Sequence, residues 1–160
     1  MDTTPNRLVD YFCVVGLPDS SNFIGLDLSQ MTAATILDRW PRRDHLDSPM
    51  PAMVPIFCFP GGVDVRWRDD SERRPVMFTF ALTDDGGRRS HGNALMFYEA
   101  RTRRVESEGS LEVETEQVHV PKVLCALSHW PFHPVYKLFL RHLYVRDVTL
   151  PNGVRIEKSA

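Results

Sequence analysis

The residues best suited to chemistry in this sequence lie close together near position 130, where a serine stands beside two histidines. His129 and His133 have the i, i+4 spacing that places two metal ligands on one face of a helix. Pro131 and Pro134 interrupt a regular helix at that point, however, and no carboxylate follows at a ligand-like offset. We therefore expect no metal site in this segment.

Ser128 directly precedes His129, which raises the alternative of a small hydrolase with a serine nucleophile. The sequence has no Gly-x-Ser-x-Gly elbow, and adjacent residues on a strand point to opposite faces. A hydrolase would need both groups to converge in a pocket and would lose activity on Ser128→Ala. The expectation from the sequence is that the chain has no catalytic residue and is not an enzyme acting on a small molecule.

The three cysteines, Cys13, Cys58 and Cys125, each stand within an apolar run and form no Cys-x-x-Cys pair. Apolar surroundings raise the pKa of a thiol, so these residues are expected to be small buried hydrophobes, not disulfides, metal ligands or nucleophiles. The glycine pairs Gly61-Gly62 and Gly86-Gly87 belong to no nucleotide-binding fingerprint. No cofactor is therefore expected.

Composition places the chain among ordinary globular proteins. Its 160 residues are 42% hydrophobic and 25% charged, with a net charge of -2, which suits one domain or one lobe of a larger module. This charge balance disfavours nucleic acid as a partner. No apolar stretch approaches the ~20 residues needed to span a bilayer, and no signal peptide is evident, so a cytoplasmic location is expected.

Two strands are predicted in the first part of the chain. Residues 8–17 are rich in β-branched and aromatic side chains, and Thr35–Trp40 form a second short strand that stops at a proline. Residues 20–30 between them are predicted as a loop. An irregular connection (42–54) then leads to Val54–Gly62, which we expect to be extended and closed by a turn because proline favours extended geometry in the residue before it.

A hairpin gives the clearest local signal. Two apolar strands, 76–83 and 94–99, flank the turn sequence Asp84-Asp85-Gly86-Gly87, whose glycines permit the positive φ values of a reversal. Arg88 and Arg89 are expected at its solvated tip. The charged segment from Arg101 to Gln117 has little apolar content and is predicted to be a flexible linker.

A last strand, Lys122–Leu127, precedes a helix predicted from about Pro134 to Tyr144. Proline is acceptable in a first helical turn, where its missing N–H would be unpaired in any case. Because apolar side chains surround most of this helix, we expect it to be wedged between two surfaces.

Taken in order, five segments of the chain resemble the upstream half of a DENN domain, the uDENN segment, followed by the start of the central DENN segment. The matching stretches are YFCVVGL (11–17), ILDRWP (36–41), FCFPGG (57–62), FTF (78–80) and VPKVLCALSHWPF (120–132). The resemblance implies an α+β, longin-like lobe, in which an antiparallel sheet carries helices on its faces. It assigns residues 1–119 to the uDENN segment, with an irregular loop (42–54) and a charged linker (101–119), and residues 120–160 to the start of the central segment within the same lobe.

Members of that family are typically guanine-nucleotide exchange factors for Rab GTPases in membrane traffic. The resemblance therefore implies a protein that favours the nucleotide-free GTPase by binding it better than the loaded form. The rest of the central segment and the downstream segment, which form the family's second lobe, are not in this sequence, so weak binding and slow exchange are expected of the chain alone. A non-catalytic longin-type adaptor or scaffold, binding GTPases or other longin domains without exchange activity, is the alternative.

The resemblance points to a Rab-family GTPase as partner, with the missing DENN lobe or another longin domain as further partners. We expect contacts from Trp130, His133 and Tyr136 around the helix start, and from Arg88 and Arg89 at the hairpin tip. A core position is the alternative for Trp130, and a solvated surface is the alternative for the arginines. Peripheral recruitment to vesicle membranes is expected, without direct membrane insertion.

Overall fold

The computed structural model describes residues 6–18, 34–63, 66–67, 74–106 and 113–146. Its elements in chain order are β1 (Tyr11–Gly16), β2 (Thr35–Trp40), α1 (Val54–Cys58), β3 (Arg66–Trp67), β4 (Val76–Thr83), β5 (Arg89–Glu106), β6 (Val113–Ser128) and α2 (His133–Val145). The loop predicted for residues 20–30 lies outside the described residues.

The strands form one antiparallel sheet in the order β2-β1-β6-β5-β4. The short β3 pairs with β6 at Val118 and His119, beyond the part of β6 that pairs with β1. Since helices accompany a wholly antiparallel sheet, the fold is α+β, as predicted.

One face of the sheet is covered by α1. Tyr11, Cys13 and Val15 project from alternate positions of β1 and share a buried cluster with Val54 and Cys58 of α1. Alternation along a strand sends every second side chain to the same face, which explains this spacing. Every second side chain of β1 therefore packs on the face of the sheet that α1 covers.

The opposite face is covered by α2. Tyr136 and Leu140, one helical turn apart, are buried against Val14, Leu95 and Leu124. Residues four apart lie on one side of a helix, so Tyr136 and Leu140 belong to a single stripe of α2, and this stripe packs on the sheet. The central strands β1, β5 and β6 are therefore covered on both faces.

Several predicted elements are confirmed. The first strand lies within the predicted range, β2 has the predicted bounds, and α2 begins and ends within one residue of prediction. The hairpin also forms: β4 pairs with β5, and the turn closes with Gly87 at φ 79° and a hydrogen bond from its N–H to the Asp84 carbonyl of 2.9 Å.

The prediction of an extended segment at Val54–Gly62 is wrong, because Val54–Cys58 form the helix α1. Pro55 occupies the first helical turn, where no N–H is required of it, and its carbonyl accepts a hydrogen bond from Phe59 N–H at 3.1 Å. The turn that follows is real and uses Gly62 at φ 81°. The prediction failed because proline is compatible with two structures: it favours extended geometry in the residue before it, and it is also accepted in the first turn of a helix.

The flexible linker predicted over residues 101–117, and over 101–119 in the domain division, is wrong for residues 101–106 and 113–119, whereas residues 107–112 lie outside the described residues. β5 continues to Glu106 and β6 begins at Val113, with unbroken pairing from His91↔Ser128 to Glu106↔Val113. This part of the ladder continues directly from a hydrophobic part that is already paired, from Ala94↔Cys125 to Met96↔Val123.

The prediction that α2 is wedged between two surfaces is wrong for the described residues. Its sheet-facing side is buried, but Val135 is 50% exposed and Leu138 is 68% exposed on the outer side. The all-round apolar sequence of α2 thus reflects one packed face and one face open to solvent.

Candidate interaction site at the hairpin end of the sheet

Five parts of the chain meet at one end of the sheet, which we call the hairpin end. β1 starts there with Tyr11 opposite Leu127, and β5 passes through it with His91 opposite Ser128. This register also places three neighbouring segments at the same end of the sheet: the β4–β5 turn, the segment before β1 and the start of α2. The sequence-predicted partner residues are therefore brought to a common region although up to 48 positions of sequence separate them.

Arg7 and Arg88 hold a surface loop between them at this end. The Arg7 guanidinium donates to both carboxylate oxygens of Asp47, at 3.0 and 3.1 Å, and Arg88 Nη1 donates to the Asp47 carbonyl at 2.6 Å. The Arg7 hydrogen bond lowers the pKa of the Asp47 carboxyl group. A bidentate arginine–carboxylate pair has a defined geometry, so the loop is oriented relative to both β1 and the hairpin.

Asp10 is a buried carboxylate, 3% exposed, that joins this network to the segment before α2. It accepts a hydrogen bond from Arg7 Nε at 2.6 Å and is in contact with Nδ1 of His129. Burial alone would lower the pKa of Arg7, but its hydrogen bonds with Asp47 and Asp10 outweigh that effect and raise the pKa. Arg7 is thus a fixed positive charge that satisfies two carboxylates.

Trp130 is partly exposed and not a core residue. Its side chain stacks on Phe132, with ring centroids 5.7 Å apart and an interplanar angle of 6°, and Nε1 donates to the Arg7 carbonyl at 3.1 Å. Trp130 and Phe132 are 37% and 46% exposed. A held, partly exposed tryptophan is typical of residues that contribute strongly to protein interfaces.

His133, the first residue of α2, is turned toward β5. Its Nδ1 lies 2.7 Å from Oδ1 of Asn93, and its ring meets His91 edge-on at 5.5 Å. The buried Nδ2 of Asn93 has no hydrogen-bond partner among the described residues. Burial, followed by repulsion from His133, lowers the pKa of His91.

Tyr136 is 1% exposed and therefore supports the site from within. Its hydroxyl lies 2.7 Å from Ser128 Oγ and 2.9 Å from the Leu8 carbonyl, and Ser128 Oγ lies 2.7 Å from the same carbonyl. Ser128 also accepts from the Trp130 N–H at 2.9 Å. These contacts tie the start of α2 to the segment before β1.

The hydrolase alternative gains no support from this geometry. Ser128 Oγ is engaged with Leu8, Trp130 and Tyr136, whereas His129 Nδ1 is in contact with Asp10. The hydroxyl and the imidazole thus have separate partners, and a nucleophile needs its base within hydrogen-bond reach.

The hairpin tip carries both predicted arginines at exposed positions. Arg88 is held by Asp84, whose carboxylate accepts from its backbone N–H at 2.8 Å and from Nε at 3.0 Å. The backbone hydrogen bond is the main cause that lowers the pKa of Asp84. Arg89 opens β5 opposite Thr83. Arg88 is therefore oriented by its turn, while Arg89 is placed by the strand register.

Sequence reasoning missed three residues that organise this end, namely Arg7, Asp10 and Asp47. The i, i+3 spacing of Arg7 and Asp10 was the one local signal, and it is weak outside a helix. Nothing local indicates that Asp47 meets Arg7 across 40 residues.

The three cysteines are buried and free, as predicted. Cys125 lies opposite Cys13 in the ladder, and α1 brings Cys58 to the same cluster. Hydrogen bonds with these two thiols, followed by burial, raise the pKa of Cys125. Within the described ranges, no group of three or more His, Cys, Asp or Glu residues could hold a metal ion.

None of the helices in the described part of the chain is both long enough and apolar enough to cross a bilayer.

Comparison with known proteins identifies a family over the middle of the chain. Residues 34–97 match the model of the uDENN domain. This range runs from β2 through α1 and the hairpin to Phe97, and it includes two of the partner residues expected from the sequence, Arg88 and Arg89. No solved structure matches the chain significantly.

Curated relatives point the same way. The chain is 29% identical over 148 residues to the MAP kinase-activating death domain protein of Caenorhabditis elegans, a match that covers 81% of this chain. It is 35% identical over 112 residues to the protein of that name from Drosophila melanogaster and 37% identical over 106 residues to the one from Mus musculus, covering 65% and 64% of this chain. The matched regions make up 10%, 5% and 6% of these relatives, so the chain spans a tenth of their length or less. The resemblance predicted from the sequence is thereby confirmed: residues 34–97 match the uDENN domain, and the chain around them is similar to three MAP kinase-activating death domain proteins.

Proposed function

We propose that this chain is the longin-like N-terminal lobe of a DENN-type guanine-nucleotide exchange factor, which acts on a Rab GTPase in membrane traffic by favouring its nucleotide-free state. The uDENN match is the observation that carries the proposal. DENN-family proteins regulate GTPases, and such a regulator works by differential affinity for two states of its partner. The antiparallel sheet, with α1 on one face and α2 on the other, is compatible with a longin-like lobe.

Within this proposal, residues 1–119 are the uDENN segment and residues 120–160 begin the central DENN segment. β6 runs from Val113 to Ser128 across that division and pairs with both β1 and β5. A strand shared in this way supports the assignment of both segments to one lobe.

The hairpin end is the surface that we propose for the GTPase. Trp130 supplies a held aromatic ring, and Arg88 and Arg89 supply exposed positive charge at the hairpin tip. Aromatic residues and arginine are enriched among side chains that dominate binding energy. His133 borders this surface, and buried Tyr136 contributes by holding the start of α2 in place. Recruitment to vesicle membranes would then be peripheral.

The test is binding of the purified chain to a panel of Rab GTPases, each in its nucleotide-free, GDP and GTP-analogue states, with release of fluorescent GDP followed in parallel. Tighter binding to one nucleotide-free Rab supports the proposal. Trp130→Ala is expected to weaken that binding about tenfold or more, and Arg89→Glu is expected to weaken it as well. Val76→Ala is the control for an exposed apolar side chain, because Val76 is 54% exposed at the start of β4, away from the hairpin tip, and Arg74→Glu is the control for charge.

A non-catalytic adaptor or scaffold on the same lobe is the second candidate. It is favoured by the edge strand β4, which has β5 as its one strand partner in the described sheet and carries no charged residue. An uncovered, uncharged edge can add a strand from another domain. Binding that ignores the nucleotide state of the GTPase, or binding to another longin domain, would favour this candidate and contradict exchange activity.

A further inference from the structure

The outer face of α2 is apolar where a surface helix is ordinarily polar. Tyr136 and Leu140 already cover the sheet, yet Leu138 is 68% exposed and Val135 is 50% exposed on the other side. At about 100° per residue, Leu138 points roughly 160° away from Leu140, so the two apolar stripes are on nearly opposite sides of the helix. The outer stripe is not used by the packing of α2 on the sheet.

Positive charge borders this outer stripe. Lys137 and Arg141 are exposed and lie on one flank of Leu138, within about 100° of it, while Arg146 follows the end of the helix. No aspartate or glutamate occurs from His129 to Arg146. The exposed side of α2 is therefore both apolar and cationic.

Two aromatic rings are also exposed just before the start of the helix. Trp130 and Phe132 are stacked and partly exposed just before His133. Tryptophan is favoured at the boundary between headgroups and acyl chains, where its ring is apolar and its N–H polar. Lysine and arginine likewise keep their charges at the headgroups while their stems cover apolar surface.

We infer that the outer face of α2 docks onto an anionic lipid surface, lying parallel to the membrane without spanning it. Charge complementarity favours this occupant over a second copy of the chain, because two cationic faces repel each other. The inference shares Trp130 with the proposed GTPase surface, but its test is separate from that of the exchange function, since vesicle binding is measured without any GTPase.

The test is flotation of the purified chain with phosphatidylcholine vesicles prepared with and without phosphatidylserine, over a range of salt concentrations. Binding is expected with phosphatidylserine, and salt is expected to weaken it because exposed charges are screened. The double variant Lys137→Gln/Arg141→Gln should lower the partition coefficient by about fivefold for each cation removed. Leu138→Ser should lower it about tenfold, because the apolar anchor is lost.

Matched controls separate this face from general stickiness and charge. Val76→Ser replaces an apolar residue that is 54% exposed on β4, and Arg42→Gln/Arg43→Gln removes two exposed cations near β2. Both controls should float as the wild type does. Thermal unfolding checks each variant, and the lysine and arginine variant decides the matter if Leu138→Ser fails to fold.

Failure to float with phosphatidylserine vesicles would overturn the inference, as would equal binding to neutral vesicles or equal losses in the controls. A wild-type oligomer that Leu138→Ser converts to monomer would also overturn it, since the outer face would then be a contact between copies. If the chain binds a Rab GTPase in a nucleotide-dependent way but does not float with vesicles, the lipid inference fails and the proposed exchange function is still supported.

Discussion

Lys122 Nζ lies 2.7 Å from Glu99 Oε2 on neighbouring strands, with only 5% and 9% of the two side chains exposed. Arg101 reaches the same carboxylate oxygen at 3.2 Å. Lys122 is opposite Phe97 in the ladder and Glu99 is opposite Val120, so the pair is a diagonal contact between β5 and β6 across rungs that are two positions apart. Burying a charge is costly unless the charge is paired. The ion pair therefore allows Lys122 and Glu99 to be buried where β5 and β6 pack together.

Lys122→Met should therefore destabilise the fold by about 3–5 kcal/mol, because it leaves the Glu99 carboxylate buried without its closest partner. Arg101 would offset part of that loss. The measurement is the free energy of unfolding from urea denaturation followed by circular dichroism. Glu99→Leu/Lys122→Met is the control and should recover much of the stability, since neither charge remains. A single variant as stable as the wild type would contradict this account.

Gly92→Ala should destabilise the hairpin by about 1–3 kcal/mol through overpacking. A Cβ atom at this position would lie 2.3 Å from ring carbons of Phe80 on β4. The Phe80 ring would therefore have to move away from β5, which would disturb the pairing of β4 with β5. Gly61→Ala is the matched control, because a Cβ there meets nothing within 4 Å. Chemical denaturation of both variants measures the difference, and equal losses at the two glycines would refute the steric explanation.

Mild acid should weaken the fold through His91, whose pKa is lowered from its ordinary value of 6.5 by burial and by His133. A group with a depressed folded pKa binds its proton more readily in the unfolded state, so stability falls as the pH drops through about 6.5 toward the folded pKa. His91→Gln should lose less stability between about pH 7.5 and pH 5.5 than the wild type does. Denaturation curves at both values test this, and identical pH dependence in the two proteins would exclude His91 as the cause.

The three thiols should be unreactive in the native protein. Cys13, Cys58 and Cys125 are fully buried, and the pKa of Cys125 is raised by its thiol neighbours and by burial. Because the thiolate is the reactive form, Ellman's reagent should modify them at the rate of unfolding under native conditions and rapidly in denaturant. Fast labelling of any cysteine without denaturant would show that the cluster is accessible.

Local patterns predicted the elements that short-range physics determines. β2 ends at a proline, the β4–β5 hairpin has glycines where positive φ is needed, and α2 starts at a proline that suits a first turn. The family resemblance also rests on such local stretches. What failed were segments whose outcome depends on distant partners: α1 was expected to be extended, and the charged arms of β5 and β6 were expected to be a linker.

The sequence by itself determined the α+β class, the main strands and helix, the burial of the cysteines and the resemblance to the uDENN domain. Each follows from residues near one another in the chain, where propensity, proline and glycine geometry and apolar runs act directly. Only the tertiary structure decided that Arg7 and Arg88 share the Asp47 loop, that Trp130 is exposed while Tyr136 is buried, and that one face of α2 is open. Such relationships depend on which strands lie side by side, and a periodic pattern shows that a face is apolar without showing what covers it.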